Sequence, residues 1–249
     1  MKKRSFRNWF RIVWFSLVTL FFIWQWSTYQ AKGVQGALAA IESNLKIEEG
    51  KEKISVLPRI GKPKGEVLFF PGGLVAPRAY LPLAKGIAAE NYAVHIIKMP
   101  GRMATRGYLN IKTLFDLEDP SKNYLLGGHS QGGKMAAQFV FEHPKLVDGL
   151  FLLATSHPRD ISLNSYKIPT IKIYAEKDGL ASIAEVLENK DKLPLEAELK
   201  LLKGGNHSQF GYFGQLLMDG TPSINRETQH QQSIAYLTSF FDGIVNAKD

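Results

Sequence analysis

Three side chains in this sequence have the types that nucleophilic acyl transfer needs: Ser130, Asp178 and His207. Ser130 lies at the centre of Gly128-His129-Ser130-Gln131-Gly132, a G-x-S-x-G pattern inside Tyr124 to Lys134. In that pattern a serine occupies a sharp strand-to-helix turn with its hydroxyl pushed out from the backbone. A side chain at Gly128 or Gly132 would crowd the strand against the helix, and the serine is expected at an unfavourable φ held by its surroundings. A serine hydroxyl is a poor nucleophile at neutral pH, so it needs a base within hydrogen-bond reach, usually a histidine oriented by a carboxylate.

Six histidines could serve as that base. His95 falls inside a predicted strand, His143 ends a helix before a proline, and His230 lies in the last helix. His129 is expected to point away if Ser130 points up, and His157 is followed by Pro158 in what could be a plain turn. His207 stands in Lys203-Gly204-Gly205-Asn206-His207-Ser208-Gln209-Phe210-Gly211, a loop after the last strand that can return an imidazole over the sheet. For the carboxylate, Asp178 follows the strand Thr170 to Ala175, with Glu176 as the fallback; Asp178-Gly179 is equally a common turn pair. The order Ser130, Asp178, His207 matches that of enzymes built on this serine turn. An oxyanion would be held by the N–H of Gln131 at the helix start and by that of Gly73 or Leu74 in Phe70-Pro71-Gly72-Gly73-Leu74-Val75. This chemistry requires neither a metal nor an organic cofactor.

Two other readings fit the same glycines. Gly128, Gly133 and Lys134 nearly spell a phosphate-binding loop, but Met135 stands where a magnesium-binding Ser or Thr is needed. The second is a glycine-rich turn carrying an idle serine.

The elements that would position these residues alternate. Strands are expected at Lys53 to Leu57, Glu66 to Pro71, Ala93 to Met99, Asn123 to Gly128, Gly149 to Ala154, Thr170 to Ala175 and Glu198 to Leu202. Helices are expected at Arg78 to Glu90, Asn110 to Leu117, Gly132 to His143, Ile183 to Lys190 and Glu227 to Val245. Continuously apolar strands alternating with helices imply an α/β fold, a mainly parallel sheet with helices on both faces. Ligands bind beyond the carboxyl ends of such strands, where the candidate residues stand.

The chain has 249 residues, 45% hydrophobic and 22% charged, enough to bury a sizeable core. Its first thirty residues differ from the rest. Lys2, Lys3, Arg4, Arg7 and Arg11 precede the uncharged run Ile12 to Trp24, with Trp9 and Phe10 before it and Trp26 and Tyr29 after it. From Trp9 to Tyr29 a helix would extend about 30 Å, the thickness of a hydrocarbon core. The basic residues place the N-terminus in the cytoplasm and the remainder outside. A cleaved signal peptide has the same layout, but the small-residue site Ala37-Leu38-Ala39 lies far beyond the apolar run.

The division expected is a basic tip and membrane-spanning anchor over 1–30, a stalk over 31–52 and a catalytic domain over 53–249. The formal net charge of +8 falls to +3 without the five N-terminal cations, and the remaining charges are interspersed, which excludes a nucleic-acid stripe. Cysteine is absent, so disulfides and thiol lipidation play no part.

From about residue 53 onward the chain resembles the α/β-hydrolase superfamily, and within it a compact membrane-anchored bacterial group without a large cap domain. The resemblance rests on FFPGGLV with Tyr80 following, GGHSQGG, IYAEKDGLAS, and GGNHSQFGYFGQ with Asp219-Gly220 and Gln229 beyond. It implies Ser130 as nucleophile, His207 as general base, Asp178 as its orienting acid and the Gly73 to Leu74 region as part of the oxyanion hole. The chain departs from that group at Gly101-Arg102-Met103-Ala104, where members carry a more apolar segment, which leaves the pocket wall open. The function expected is a serine hydrolase of small or surface-presented carboxylic esters acting through an acyl-enzyme. The same residues also suit a peptidase, amidase or acyltransferase, or a silent binding module held at the membrane.

Overall fold

The structure, a computed structural model, describes residues 2–40, 44–156 and 160–247, so His157 lies outside it. Helix α1 (Lys2–Thr28) comes first, then α2 (Val34–Ala39) and β1 (Leu45–Glu49). The chain continues through β2 (Lys53–Pro58), β3 (Glu66–Phe70), α3 (Leu81–Ala89), β4 (Ala93–Ile97), α4 (Ile111–Leu114), β5 (Tyr124–His129) and α5 (Gln131–Glu142). It closes with β6 (Gly149–Leu153), β7 (Thr170–Ala175), α6 (Ile183–Glu188), β8 (Glu198–Leu202) and α7 (Arg226–Asn246).

One eight-stranded sheet runs in the order β1-β2-β4-β3-β5-β6-β7-β8. The pairs β1–β2 and β2–β4 are antiparallel, and every other pair is parallel. The alternation of side chains across each strand explains why both faces are apolar. Val67 and Phe69 of β3, Leu125 of β5 and Phe151 of β6 join α3 and α7 in one core. Leu68 and Phe70, Leu126, and Leu150 and Leu152 from the same strands join α5 in the other.

Two stretches differ from expectation. Residues 45–49, read as part of a stalk, form an edge strand in register with β2, Leu45 opposite Pro58 and Glu49 opposite Ile54. The helix expected over Asn110 to Leu117 is only Ile111–Leu114, reached through short 3-10 turns at Pro100–Arg102, Ala104–Arg106 and Tyr108–Asn110. Asp116 Oδ1 accepts the Glu118 amide at 3.3 Å, a local turn that competes with continuing the helix.

Helix α1 contains an apolar stretch, Phe6–Thr28, of 23 residues with mean hydropathy 1.3. The most apolar part of that stretch is not buried against the described residues, and its length and composition suffice to cross a membrane.

Candidate active site

Ser130 stands between β5 and α5 with φ 51° and ψ −119°, the strained backbone expected of it. Two hydrogen bonds hold it there: its amide donates to the Leu153 carbonyl at 2.9 Å, and its carbonyl accepts the Lys134 amide at 3.1 Å. The packing beside it requires glycine at 132, where an added Cβ would overlap the carbonyl oxygens of Phe70 and Pro71. That contact sets the root of the Pro71 to Val75 loop directly against the start of α5.

His207 and Asp178 meet beyond the ends of β8 and β7. His207 Nδ1 lies 2.9 Å from Asp178 Oδ2 and 3.1 Å from Oδ1. A carboxylate only accepts, so Nδ1 carries the proton and Nε2 is left with its lone pair. Asp178 is 6% exposed and His207 2%. The amides of Leu180 and Ala181 donate to Asp178 Oδ1 at 2.8 and 2.7 Å, which fixes the acid's orientation. Glu176, the fallback acid, accepts the Gly204 amide instead at 2.7 Å.

Side-chain to backbone bonds fix the loop around His207. Asp219 accepts the amides of Gly179 and His207, each at 3.2 Å, and that of Ser208 at 2.8 Å, so one carboxylate joins the loop of Asp178 to that of His207. Ser208 Oγ donates to it as well, at 2.6 Å. Gln229 of α7 clamps Asn206 in both directions, accepting its amide at 3.0 Å and donating to its carbonyl at 2.9 Å. Gly220 takes part through its carbonyl, which accepts from Asn206 Nδ2 at 2.8 Å.

The amide positions on the Pro71 to Val75 loop are now distinguishable. Gly72 donates to the Tyr80 hydroxyl at 3.0 Å, and Leu74 donates to the Arg102 carbonyl at 2.8 Å. The Leu74 N–H is therefore engaged, and of the two expected donors only Gly73 keeps a free amide among the described residues. Gly73 also lies against Gln131, whose Oε1 would be 3.3 Å from a Cβ built on that glycine. The Gln131 amide, at the first turn of α5, has no helical acceptor either.

His129 does not point away. Its ring lies 4.5 Å from the His207 ring, centroid to centroid, and its Nδ1 accepts the Tyr80 hydroxyl at 2.8 Å. Burial holds its pKa well below the usual histidine range, and the neighbouring His207 adds to this, so the ring is neutral at pH 7. Tyr80 thereby links the loop carrying Gly73 to the residue before Ser130. The remaining histidines lie elsewhere: His143 caps α5 against Phe139, and His230 is buried edge-on to Tyr212.

A second serine-histidine-carboxylate chain occurs in the sheet. Ser55 Oγ lies 2.8 Å from His95 Nδ1, and His95 Nε2 lies 2.7 Å from Glu66 Oε2. These three lie on β2, β4 and β3, and Phe115 stacks against the imidazole at 4.9 Å. Ser55 sits inside a strand, with no helix start beside it, so this chain satisfies buried polar groups and lacks the parts of an acyl-transfer site.

A family model described as alpha/beta hydrolase family matches residues 66–231. The chain belongs to this family. The match spans β3 to the first turn of α7 and contains every residue discussed above as a candidate for chemistry. Among solved structures, a predicted CIB-like hydrolase from Thermoplasma acidophilum is similar in fold, at 15% sequence identity and a TM-score of 0.59. That likeness covers 78% of this chain and 99% of the other. No curated protein matches the chain. The family supports a hydrolase, and this hydrolase holds Asp178 against His207 beyond the carboxyl ends of the parallel strands, the end of the sheet at which Ser130 stands.

Proposed function

We propose that the chain is a serine hydrolase of carboxylic esters, working through an acyl-enzyme. The observation that carries this reading is Ser130 at φ 51° on the β5–α5 turn, together with His207 hydrogen-bonded to a pinned Asp178. Ser130 Oγ attacks the ester carbonyl while His207 Nε2 takes its proton. The oxyanion that forms is held by the N–H groups of Gln131 and Gly73. Collapse of the intermediate breaks the bond to the alcohol, which leaves with the proton from His207. Water then attacks the acyl carbon, giving its proton to the same nitrogen, and the acid departs as Ser130 Oγ recovers a proton. Asp178 holds the tautomer and stabilises the transient imidazolium.

Helix α1 anchors this hydrolase in a membrane, its basic end in the cytoplasm and the catalytic domain on the outer side. Fluorophosphonate labelling tests the chemistry: Ser130 is modified in the folded wild type and nothing is modified in Ser130→Ala. An unlabelled Ser130 in active-looking, folded protein would sink the nucleophile assignment. Ester hydrolysis exceeding that of matched amides separates an esterase from a peptidase or amidase. Protease added to intact cells removes the domain, and full protection contradicts the outward topology.

A further inference from the structure

Helix α1 and the candidate active-site loops are joined more closely than a flexible connection requires. The Gly214 amide donates to the Thr28 carbonyl at 2.7 Å, the Lys32 amide to the Tyr212 carbonyl at 2.8 Å, and the Ala76 amide to the Tyr29 carbonyl at 2.8 Å. Thr28 is buried, and Tyr29 packs on the core. This approach depends on Gly214, where an added Cβ would come 3.0 Å from the Thr28 Cα. Arg102 places its guanidinium 4.8 Å from the Trp26 ring and donates to Gln30 Oε1 at 3.1 Å, while its carbonyl holds the Leu74 amide. Ala76 lies on the loop of Gly73, and Tyr212 and Gly214 lie on the loop of His207. The apolar helix therefore leaves the domain from the edge that carries Ser130, fixed to both loops beside it.

That same edge displays apolar side chains with nothing over them: Leu74, Leu180, Leu217 and Met218. Leu180 is two residues after Asp178, and Met218 directly precedes Asp219. Leu74 and Met218 stand at φ 64° and 68°, a region in which glycine or asparagine costs least. Met218 is nonetheless 80% exposed. Four large apolar side chains grouped on loops beside Ser130, two of them at positions that favour small polar residues, form a patch suited to contact with an apolar surface. The end of α1 names a candidate for that contact: if Phe6–Thr28 crosses a bilayer, Trp26 to Thr28 stand at its surface, at the height of these side chains.

We propose that the catalytic mouth rests on the surface of the membrane that α1 enters, with Leu74, Leu180, Leu217 and Met218 in its interfacial layer. The substrate is then an acyl ester of a lipid-phase amphiphile, which reaches Ser130 from the bilayer. The substrate part rests on the serine-hydrolase reading above; the docking part rests only on α1 entering a membrane. The bond broken is the one between acyl carbon and alcohol oxygen, with water supplying the hydroxyl of the released acid.

The chain has no cysteine, so single labels are unambiguous. Met218→Cys and Leu195→Cys would each carry an environment-sensitive fluorophore, in the full chain reconstituted into phosphatidylcholine–phosphatidylglycerol vesicles containing a headgroup spin-label quencher. Leu195 is 92% exposed and precedes β8, placing it at the opposite edge of the sheet. The label at 218 is quenched severalfold more than that at 195. Equal quenching overturns the docking, and so does a signal at 218 that follows protein density in place of quencher content, since it would mark a contact between copies.

For the substrate, the double variant Leu217→Ser, Met218→Asn keeps hydrolysis of a soluble short-chain ester within about twofold. It loses about tenfold on a long-chain ester carried in the vesicles, from the apolar contact removed. Unchanged vesicle hydrolysis, or equal losses on both substrates, overturns that part. A wild type inactive on both esters but still quenched at 218 would instead sink the hydrolase reading and leave the docking standing.

Discussion

Replacing Tyr80 by phenylalanine removes one oxygen that serves two buried groups. The hydroxyl accepts the Gly72 amide at 3.0 Å and donates to His129 Nδ1 at 2.8 Å. Tyr80 and His129 are each 1% exposed, so water does not replace the lost partner. A buried polar group left unmatched costs about 1–3 kcal/mol, and the two together about 2–6 kcal/mol. For a chain of this size each kcal/mol lowers the melting temperature by about 2–4 °C. Among the described residues His129 Nε2 has no hydrogen-bond partner of good geometry, so Tyr80→Phe removes the ring's one side-chain hydrogen bond there.

The double variant Tyr80→Phe, His129→Leu removes the acceptor along with the donor, and the two losses should fall short of their sum by about 1–3 kcal/mol. All four tryptophans lie in α1 and of these Trp26 meets the domain, at Arg102, so their fluorescence would report on it weakly and pulse proteolysis across a urea series is the suitable assay. Because Gly72 adjoins Gly73, the same change should lower kcat, by up to the ~3 kcal/mol that one oxyanion donor supplies, with little effect on KM. A Tyr80→Phe loss below about 0.5 kcal/mol, or strict additivity in the double variant, would refute the coupling.

Ser130→Gly is expected to abolish ester turnover yet raise the unfolding free energy by about 1 kcal/mol, since glycine relieves the strain at φ 51°; a thermal melt at or below that of wild type counts against it. Asp219→Ala releases the amides of Gly179, His207 and Ser208 and should lower kcat about a hundredfold with KM little changed. Wild-type kcat in that variant would show that the loops hold themselves. Burial pushes the His230 pKa down to about 4, so the unfolded chain binds its proton first as pH falls. Stability is thus fully present above about pH 6.5 and declines toward pH 4, by about 3 kcal/mol at most; in His230→Leu the unfolding free energy should vary less over that window. Lys172 is wholly buried with its pKa lowered to about 7 by burial, and its ammonium donates to the Ser156 carbonyl at 3.1 Å. Lys172→Met should stabilise the protein near neutral pH, an advantage that shrinks as pH rises toward 10 because the unfolded lysine then gives up its proton as well; urea unfolding at pH 7 and pH 10 checks it.

The sequence made the parallel core legible because its strands are short apolar runs bounded by turn residues. Thr170 to Ala175 and Glu198 to Leu202 were expected with the bounds observed. Strand β1 was not legible: Leu45-Lys46-Ile47-Glu48-Glu49 is mostly exposed, and its partner β2 is what makes it a strand. Ser130, Asp178 and His207 stood out because each follows an apolar run and the chemistry demands those three types. The bonds that hold them did not stand out. Tyr80 and His129 are 49 positions apart, and only the fold brings them to 2.8 Å. Likewise the Leu74 amide looks as available as that of Gly73 until Arg102, itself at φ 58°, turns its carbonyl onto it. Asp219 and Gln229 were visible as parts of a pattern; their task of fixing the His207 loop is a matter of geometry alone.

Leu74, Arg102, Ser130 and Met218, all near the candidate site, account for four of the six non-glycine residues at positive φ among those described. Each is a small debt of backbone energy, and at Leu74, Arg102 and Ser130 a backbone bond to a neighbouring segment holds it in place. Such segments open before the sheet does, so amide exchange should begin at the Leu74 and Met218 loops and reach β3, β5 and β6 last. The same strain ties the loops to the sheet beneath them: with β3, β5 and β6 disrupted, nothing holds Ser130 at its positive φ.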